Sequence, residues 1–381
     1  MFALRSLVAV LLLTAVSPAR ETPRHYSYRP VSIAFVPGFS TNGPAARYVS
    51  SNLSLNIIGG NLGRLHGVEL GGVFNLEEDE VVGYQSAGVF SIVNGGFTGL
   101  QQAGVFNIVG GGFAGVQQAG VINVVDGGFR GAQMAGVVNV ADGSFVGAQM
   151  AGVTNVAGEG FGGAQFAGVV NIAAEQASGL QLSGVVNVAE EFSGAQIGVV
   201  NIAEKSRGLQ LGLVNIAEDA EVPIGLVSIV EHGQFHVNAW ATEFSPLNVG
   251  IKTGSRTVYN VFMVGWRPRG DSTRLYAGLG IGGHIPLKRF FVDIDVLSHG
   301  VYTGPDWSPE GGSDLLSSLR LTGGWQLNDV LALTAGPTVS VWVSDREDGS
   351  RVPFYDMPLF KSHGSENVRI WPGFTVGLQI L

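Results

Sequence analysis

Residues 131 to 146, GAQMAGVVNVADGSFV, set Gln133, Ala135, Val137, Asn139 and Ala141 in alternation with Met134, Gly136, Val138 and Val140. That is a strand period and not a helical one. The tail Ala-Asp-Gly-Ser-Phe then supplies turn chemistry. The unit recurs. Asn75, Ser91, Asn107, Asn123, Asn139, Asn155, Asn171 and Asn187 lie 16 residues apart, and Asn201, Asn215 and Ser228 follow at intervals of 14, 14 and 13. A second column, Gln85, Gln101, Gln117, Gln133, Gln149, Gln165, Gln181, Gln196 and Gln210, keeps step with the first. A buried amide satisfies donor and acceptor by bonding its copies above and below, so both columns predict stacked coils joined by a structural ladder. The position two before each Asn, Val73 to Leu226, is always Val or Leu, and the position after it is Leu, Ile or Val. Both columns are expected in the core.

The later units locate a bend. QMAGVVN at 133 to 139 becomes QIGVVN at 196 to 201, one residue shorter between the two amide columns, yet both columns continue. Within a straight strand such a deletion would turn every later side chain to the opposite face. The Ala-Gly pair is the natural corner, with Gly accepting a positive φ. Each coil then has one strand carrying Gln and one carrying Asn, a tight bend at Gly, and a longer turn at the DGGF-like segment. A meander would send successive turns to opposite ends and break the ladder. The pattern therefore favours an all-β solenoid of about eleven coils, stacked at about 4.8 Å, over residues 53 to 231. Residues 20 to 52 read as a lead-in and cap.

From 232 to 381 the repeats give way to longer alternating runs: 234 to 242, 246 to 253, 257 to 266, 273 to 284, 288 to 298, 315 to 326, 329 to 343 and 368 to 380. Phe290, Val292, Ile294 and Val296 share one face of their run and Asp293 and Asp295 the other. Leu319, Leu321 and Trp325 likewise oppose Arg320, Thr322 and Gln326, and Phe374, Val376, Leu378 and Ile380 oppose Thr375, Gly377 and Gln379. Eight such strands fit a small antiparallel β-barrel with an apolar outside and a polar, Gly-rich inside, as in outer-membrane proteins. A soluble β-sandwich shows the same alternation with the apolar face inward. The even count, a last strand reaching Ile380, and Trp240, Trp266, Trp325, Trp342 and Trp371 near strand ends favour the barrel. A final Leu381 where an aromatic is usual, and a run at 257 to 266 apolar on both faces, speak against it.

Composition narrows the function. The chain of 381 residues has no cysteine, hence no disulfide, thiolate metal site, cysteine nucleophile or lipoprotein thiol. A net charge of -9 with no basic cluster argues against nucleic-acid binding. Residues 1 to 19 read as a signal peptide: Arg5, the apolar stretch Leu7 to Val16, and Ser17-Pro18-Ala19 as the cleavage site. No later run is long and apolar enough for a spanning helix, so any membrane insertion must use strands.

Motifs with chemical potential all have plainer readings. Phe97, Phe113, Phe129, Phe145 and Phe161 form either an aromatic strip for a glycan or partner, or rings closing the end of the core. Asp126, Asp142, Glu159, Glu175, Glu190, Glu204 and Glu218 form either a Ca²⁺-binding stack or a solvated edge that discourages aggregation. The run Glu77-Glu78-Asp79-Glu80 also reads as a solvated edge. Gly278 to Gly283 lies in a strand pattern, which indicates close packing and not a dinucleotide loop. Asp293 and Asp295 are expected to pair with cations such as Lys252 or Arg320. His232 and His236 have metal-ligand spacing only on a helix, and no Ser/His/Asp set stands out. No cofactor and no catalytic residue is expected.

SIAFVPGFSTNG at 32 to 43, LSLNIIGG at 53 to 60, GVELGGVFNL at 67 to 76 and the iterated GxQxAGVxNV units resemble, in that order, bacterial surface-repeat-containing proteins of Gram-negative lineages. The resemblance covers roughly residues 30 to 230 and implies a cell-envelope protein of unassigned activity. It brings no catalytic residues. The reading that follows is a non-enzymatic outer-membrane or surface protein, a barrel in membrane lipid holding a solenoid for display, scaffolding or adhesion, with a protein or glycan partner. The alternative is a soluble periplasmic or secreted binding module in which a β-sandwich caps the solenoid. A glycan-cleaving β-helix would cluster its acids on one coil face, whereas here they sit in turns.

Overall fold

The computed structural model describes residues 25–268, 273–303, 314–344, 358–362 and 367–380. The expected leader at 1 to 19 and Leu381 lie outside them. The chain is a β-solenoid of about eleven turns followed by a closed eight-stranded antiparallel barrel. Its contacts divide it into two compact units at Lys205/Ser206, so the last coils belong with the barrel.

Coils stack in parallel and in register, like residue on like. Phe129–Ala135 pairs with Phe145–Ala151, setting Phe129 beside Phe145 and Gln133 beside Gln149. Val138–Ala141 pairs with Thr154–Ala157, setting Asn139 beside Asn155. The bend falls at 136–137, between the Gln strand and the Asn strand. In the shorter coils it falls at 198–199, so the deletion is absorbed at the corner as expected. From Val170 onward the longer turn vanishes, and one Asn strand runs on into the next Gln strand, as in Val170–Ser183 and Val186–Ile197. Parallel pairing begins upstream of the repeats, where Val31–Val36 pairs with Val49–Asn56.

Two expectations about the coil are corrected. The corner glycines do not adopt positive φ; they are glycine because a Cβ at Gly136 or Gly152 would run into the carbonyl oxygen of the glycine one coil earlier. Positive φ belongs to another column, two residues before each Gln, where Gly131 has φ 132°. The column from Val73 to Leu226 is not core either. Val137, Val153, Val169 and Val185 are exposed, because the residue at the bend turns its side chain out of the coil. The column after Asn is mixed, buried at Val140, Val156 and Ile172 but exposed at Ile108 and Ile216. What fills the coils is the amide ladders, the small or branched column Val93, Val109, Val125, Ala141, and the Phe column. The rings from Phe97 to Phe145 stack at 4.9 Å, one per coil, all buried. They close the core, which removes the aromatic strip as a binding surface.

The barrel strands are Gln234–Ala241, Leu247–Gly254, Val258–Arg267, Arg274–Leu287, Phe290–Thr303, Asp314–Gln326, Leu331–Ser344 and Asn367–Ile380. Neighbours pair antiparallel, and Val237 opposite Ile380 begins the seam that closes the ring. The short strand Phe360–Ser362 pairs with 368 to 370, beyond the reach of the eight-residue first strand. Phe290, Ile294 and Val296 point outward with 57, 45 and 55% of their surface exposed, and Asp293 and Asp295 point inward. The sandwich expectation, which needs those apolar side chains in a dry two-sheet interior, is overturned. Trp266 and Trp325 lie on the outside near strand ends, but Trp240, Trp342 and Trp371 point into the lumen and belong to no outer belt.

Candidate functional site

The two amide columns are continuous hydrogen-bonded ladders running in opposite senses. In the Gln column each Nε2 donates to the Oε1 of the coil before it: Gln196 to Gln181, and on through Gln165, Gln149, Gln133, Gln117 and Gln101 to Gln85, at 2.7 to 3.0 Å. In the Asn column each Nδ2 donates to the Oδ1 of the coil after it, from Asn107 through Asn123, Asn139, Asn155, Asn171 and Asn187 to Asn201, at 2.9 to 3.0 Å. The sense is fixed by backbone. The other N–H of Asn139 meets the Met150 carbonyl at 2.7 Å, and the Gln133 amide meets the Val140 carbonyl at 3.2 Å, so nitrogen must occupy both positions. Gln210 and Asn215 are buried in the same columns within the second unit.

A one-way ladder needs a terminus that accepts without donating. Glu69, sixteen residues before Gln85, supplies it: its carboxylate takes Gln85 Nε2 at 2.8 Å and Asn56 Nδ2 at 2.8 Å. Sequence reasoning missed Glu69, although the 16-residue spacing placed it in the Gln column. The Asn ladder breaks at Ser91, whose short side chain leaves its own Oγ and Asn107 Oδ1 buried without partners.

The acidic run is not a solvated edge throughout. Glu77 is 2% exposed, between Leu62 and Val93 in a column that is apolar in later coils, and as a carboxylate it finds no donor. Burial, and after it the nearby Glu69 charge, holds its carboxyl well above the usual carboxylate range. The rest of the run is ion-paired at the surface, Glu78 to Arg47 at 3.2 Å and Asp79 to Arg64 at 2.7 Å. In the turn column, partial burial and then the Asp142 charge raise the Asp126 carboxyl. Among the described residues no three His, Asp or Glu side chains converge as a metal site.

The barrel lumen holds the other polar cluster. Lys252 Nζ meets Asp293 at 2.5 Å and His284 Nδ1 meets it at 2.7 Å. Arg320 grips Asp295 through Nε at 2.8 Å and Nη2 at 2.7 Å, and the Tyr259 hydroxyl donates to the same carboxylate at 2.5 Å. Both Asp residues thus find the cations expected for them. Their oxygens face partners and not a cleft, which argues against a hydrolytic pair. The turn at 242–246 folds into the lumen. Phe244 packs with Tyr276, Leu316, Trp342 and Trp371, and Glu243 accepts from Thr338 at 3.1 Å, Ser340 at 2.9 Å and Trp371 Nε1 at 3.0 Å. No pattern in the sequence marked this turn. The glycine run packs as expected, since a Cβ at Gly278 or Gly280 would strike a carbonyl of the next strand. His232 and His236 do not converge: one contacts Asp219 at 3.4 Å and the other takes a hydrogen bond from Gln379 at 3.0 Å.

At the other end the last coils dock on the barrel through donors in and beside the turn at 255–257. Thr253 Oγ1 donates to the Ser228 carbonyl at 3.0 Å, Ser255 Oγ to Glu221 at 2.9 Å, Thr257 Oγ1 to Glu221 at 3.0 Å and Asn260 Nδ2 to Gly225 at 2.5 Å. These bonds satisfy carbonyls on coils that would otherwise end a stack with an open edge. The chain matches no protein-family model, no curated protein and no solved structure.

Proposed function

We propose that this is a non-enzymatic protein of the outer membrane, whose barrel sits in lipid and anchors a rigid β-solenoid that acts as a scaffold. The outward band carries the proposal. Val249, Ile251, Val264, Leu279, Ile294, Val296, Leu319, Leu321, Val339, Val376 and Leu378 all face out and are exposed. A water-soluble barrel keeps such side chains inside and turns its ion pairs outward; here the ion pairs are inside. Trp266 lies at one end of the band and Trp325, stacked on Phe290 at 6.4 Å, at the other, the depth at which aromatic rings meet the interface. Six of the eight strands have 10 to 14 residues, enough to cross a bilayer at about 45° tilt. The resemblance of the repeats to surface-repeat-containing proteins points to the same compartment.

A scaffold suits the coils, because nearly all the amides they bury are committed to the ladders and their turns present no assembled chemistry. The test is Ile294→Arg with Val296→Arg. Each charge in mid-membrane costs about 2–4 kcal/mol. The double variant should lose the heat-modifiable gel shift of a folded membrane barrel and leave the outer-membrane fraction. Normal folding with recovery in the soluble periplasm, for wild type and variant alike, would overturn the proposal.

A further inference from the structure

The two ends of the barrel are unequal. At the end where the last coils dock, strands are joined by 255–257, 288–289 and 327–330, connections of three, two and four residues. At the opposite end they are joined by 242–246, 268–273, 304–313 and 345–366, connections of five, six, ten and 22 residues. Outer-membrane barrels place short turns in the periplasm and long connections outside the cell. The docking bonds from Thr253, Ser255, Thr257 and Asn260 tie the coils at 221–228 to the short-turn end.

We infer that the barrel sits with its short-turn end, and the coils at 221–228 docked there, toward the periplasm, and with its long connections toward the outside of the cell. The inference rests on the outer-membrane reading and deepens it. It also narrows the choice among display, adhesion and scaffolding: whatever the last coils hold must be reachable from inside the outer membrane, and contact with the outside falls to the long connections.

The absence of cysteine makes the test direct, since each introduced thiol is the only one in the protein. Ser308→Cys and Ser350→Cys probe the long connections, Asp329→Cys a short turn and Arg207→Cys an exposed position on the last coils. Full-length variants are treated in intact cells with a membrane-impermeant maleimide, with and without prior permeabilisation of the outer membrane, and each is fractionated. The expected result is labelling at 308 and 350 in intact cells, and at 329 and 207 only after permeabilisation, with all four in the outer-membrane fraction. Labelling of Arg207→Cys in intact cells with the protein still in that fraction would overturn the inference and leave the anchor standing. Recovery of all four in the soluble fraction, labelled only after permeabilisation, would overturn the anchor itself.

Discussion

Replacing Glu77 by Val should stabilise the solenoid, and by an amount that grows with pH. Glu77 occupies the column that holds Val93, Val109 and Val125 in the next coils, and its carboxylate oxygens meet no donor. Its folded-state pKa is raised by burial and then by Glu69, above an unfolded value of about 4.3. A raised carboxyl means the native state holds its proton longer than the unfolded one. The contribution is therefore most favourable below the unfolded pKa and is lost as pH rises through the folded pKa, at up to about 1.4 kcal/mol per pH unit for one proton. When neutral, the carboxyl hydrogen-bonds Glu69, so the cost falls on the ionised form. Glu77→Val removes the cost of the ionised form, less a small loss from the smaller side chain and from the Glu69 hydrogen bond. Urea unfolding of the purified protein, followed on the solenoid by hydrogen exchange at several pH values from about 4 to 8, gives the difference between variant and wild type. That difference should be small at the acid end and widen toward the alkaline end. A constant difference, or a wild type that gains on the variant as pH rises, would refute the reasoning.

Ser91→Asn should close the break in the Asn ladder by giving Asn107 Oδ1 its missing donor, for a gain of about 1 kcal/mol in the same unfolding assay. Gly131→Ala demands φ 132° from a residue with a Cβ and drives that Cβ into the Gly115 carbonyl, so it should cost about 4 kcal/mol or more, seen as protease cleavage within the coils. Lys252→Met strands the buried Asp293 with His284 alone and should destabilise the barrel by about 3–5 kcal/mol, whereas Lys252→Met with Asp293→Leu should recover most of that loss. The temperature at which the gel shift is lost measures both.

The repeats were readable because a solenoid translates sequence period directly into spatial stacking. Like sits on like, so Gln133 over Gln149 is visible before any coordinate is known, and the missing residue between Gln196 and Asn201 locates the corner. The reason for the corner glycine was not readable. Close approach between coils depends on where a Cβ would point, and only the backbone gives that. Glu69 was in plain sight sixteen residues before Gln85, but as an acid it fell outside a search for amides. The expectation for Glu77 failed because a charge run looks solvated, and one member of an alternating strand still has to point inward. In the barrel, alternation assigned inner and outer faces correctly at Phe290 to Val296. It could not separate a barrel from a sandwich until ring closure fixed which side was inside. The turn at Glu243 and Phe244 enters the lumen through tertiary contacts that leave no local pattern.

The outward face of the barrel is the centre of the account, and lipid contact there can be measured at one position. Ile294→Cys carrying a polarity-sensitive fluorophore, in the full-length protein reconstituted into vesicles of brominated lipid, should fluoresce at short wavelength and be strongly quenched, while Ser144→Cys with the same label should be neither. A label at 294 that reports bulk water and escapes quenching would contradict the membrane anchor.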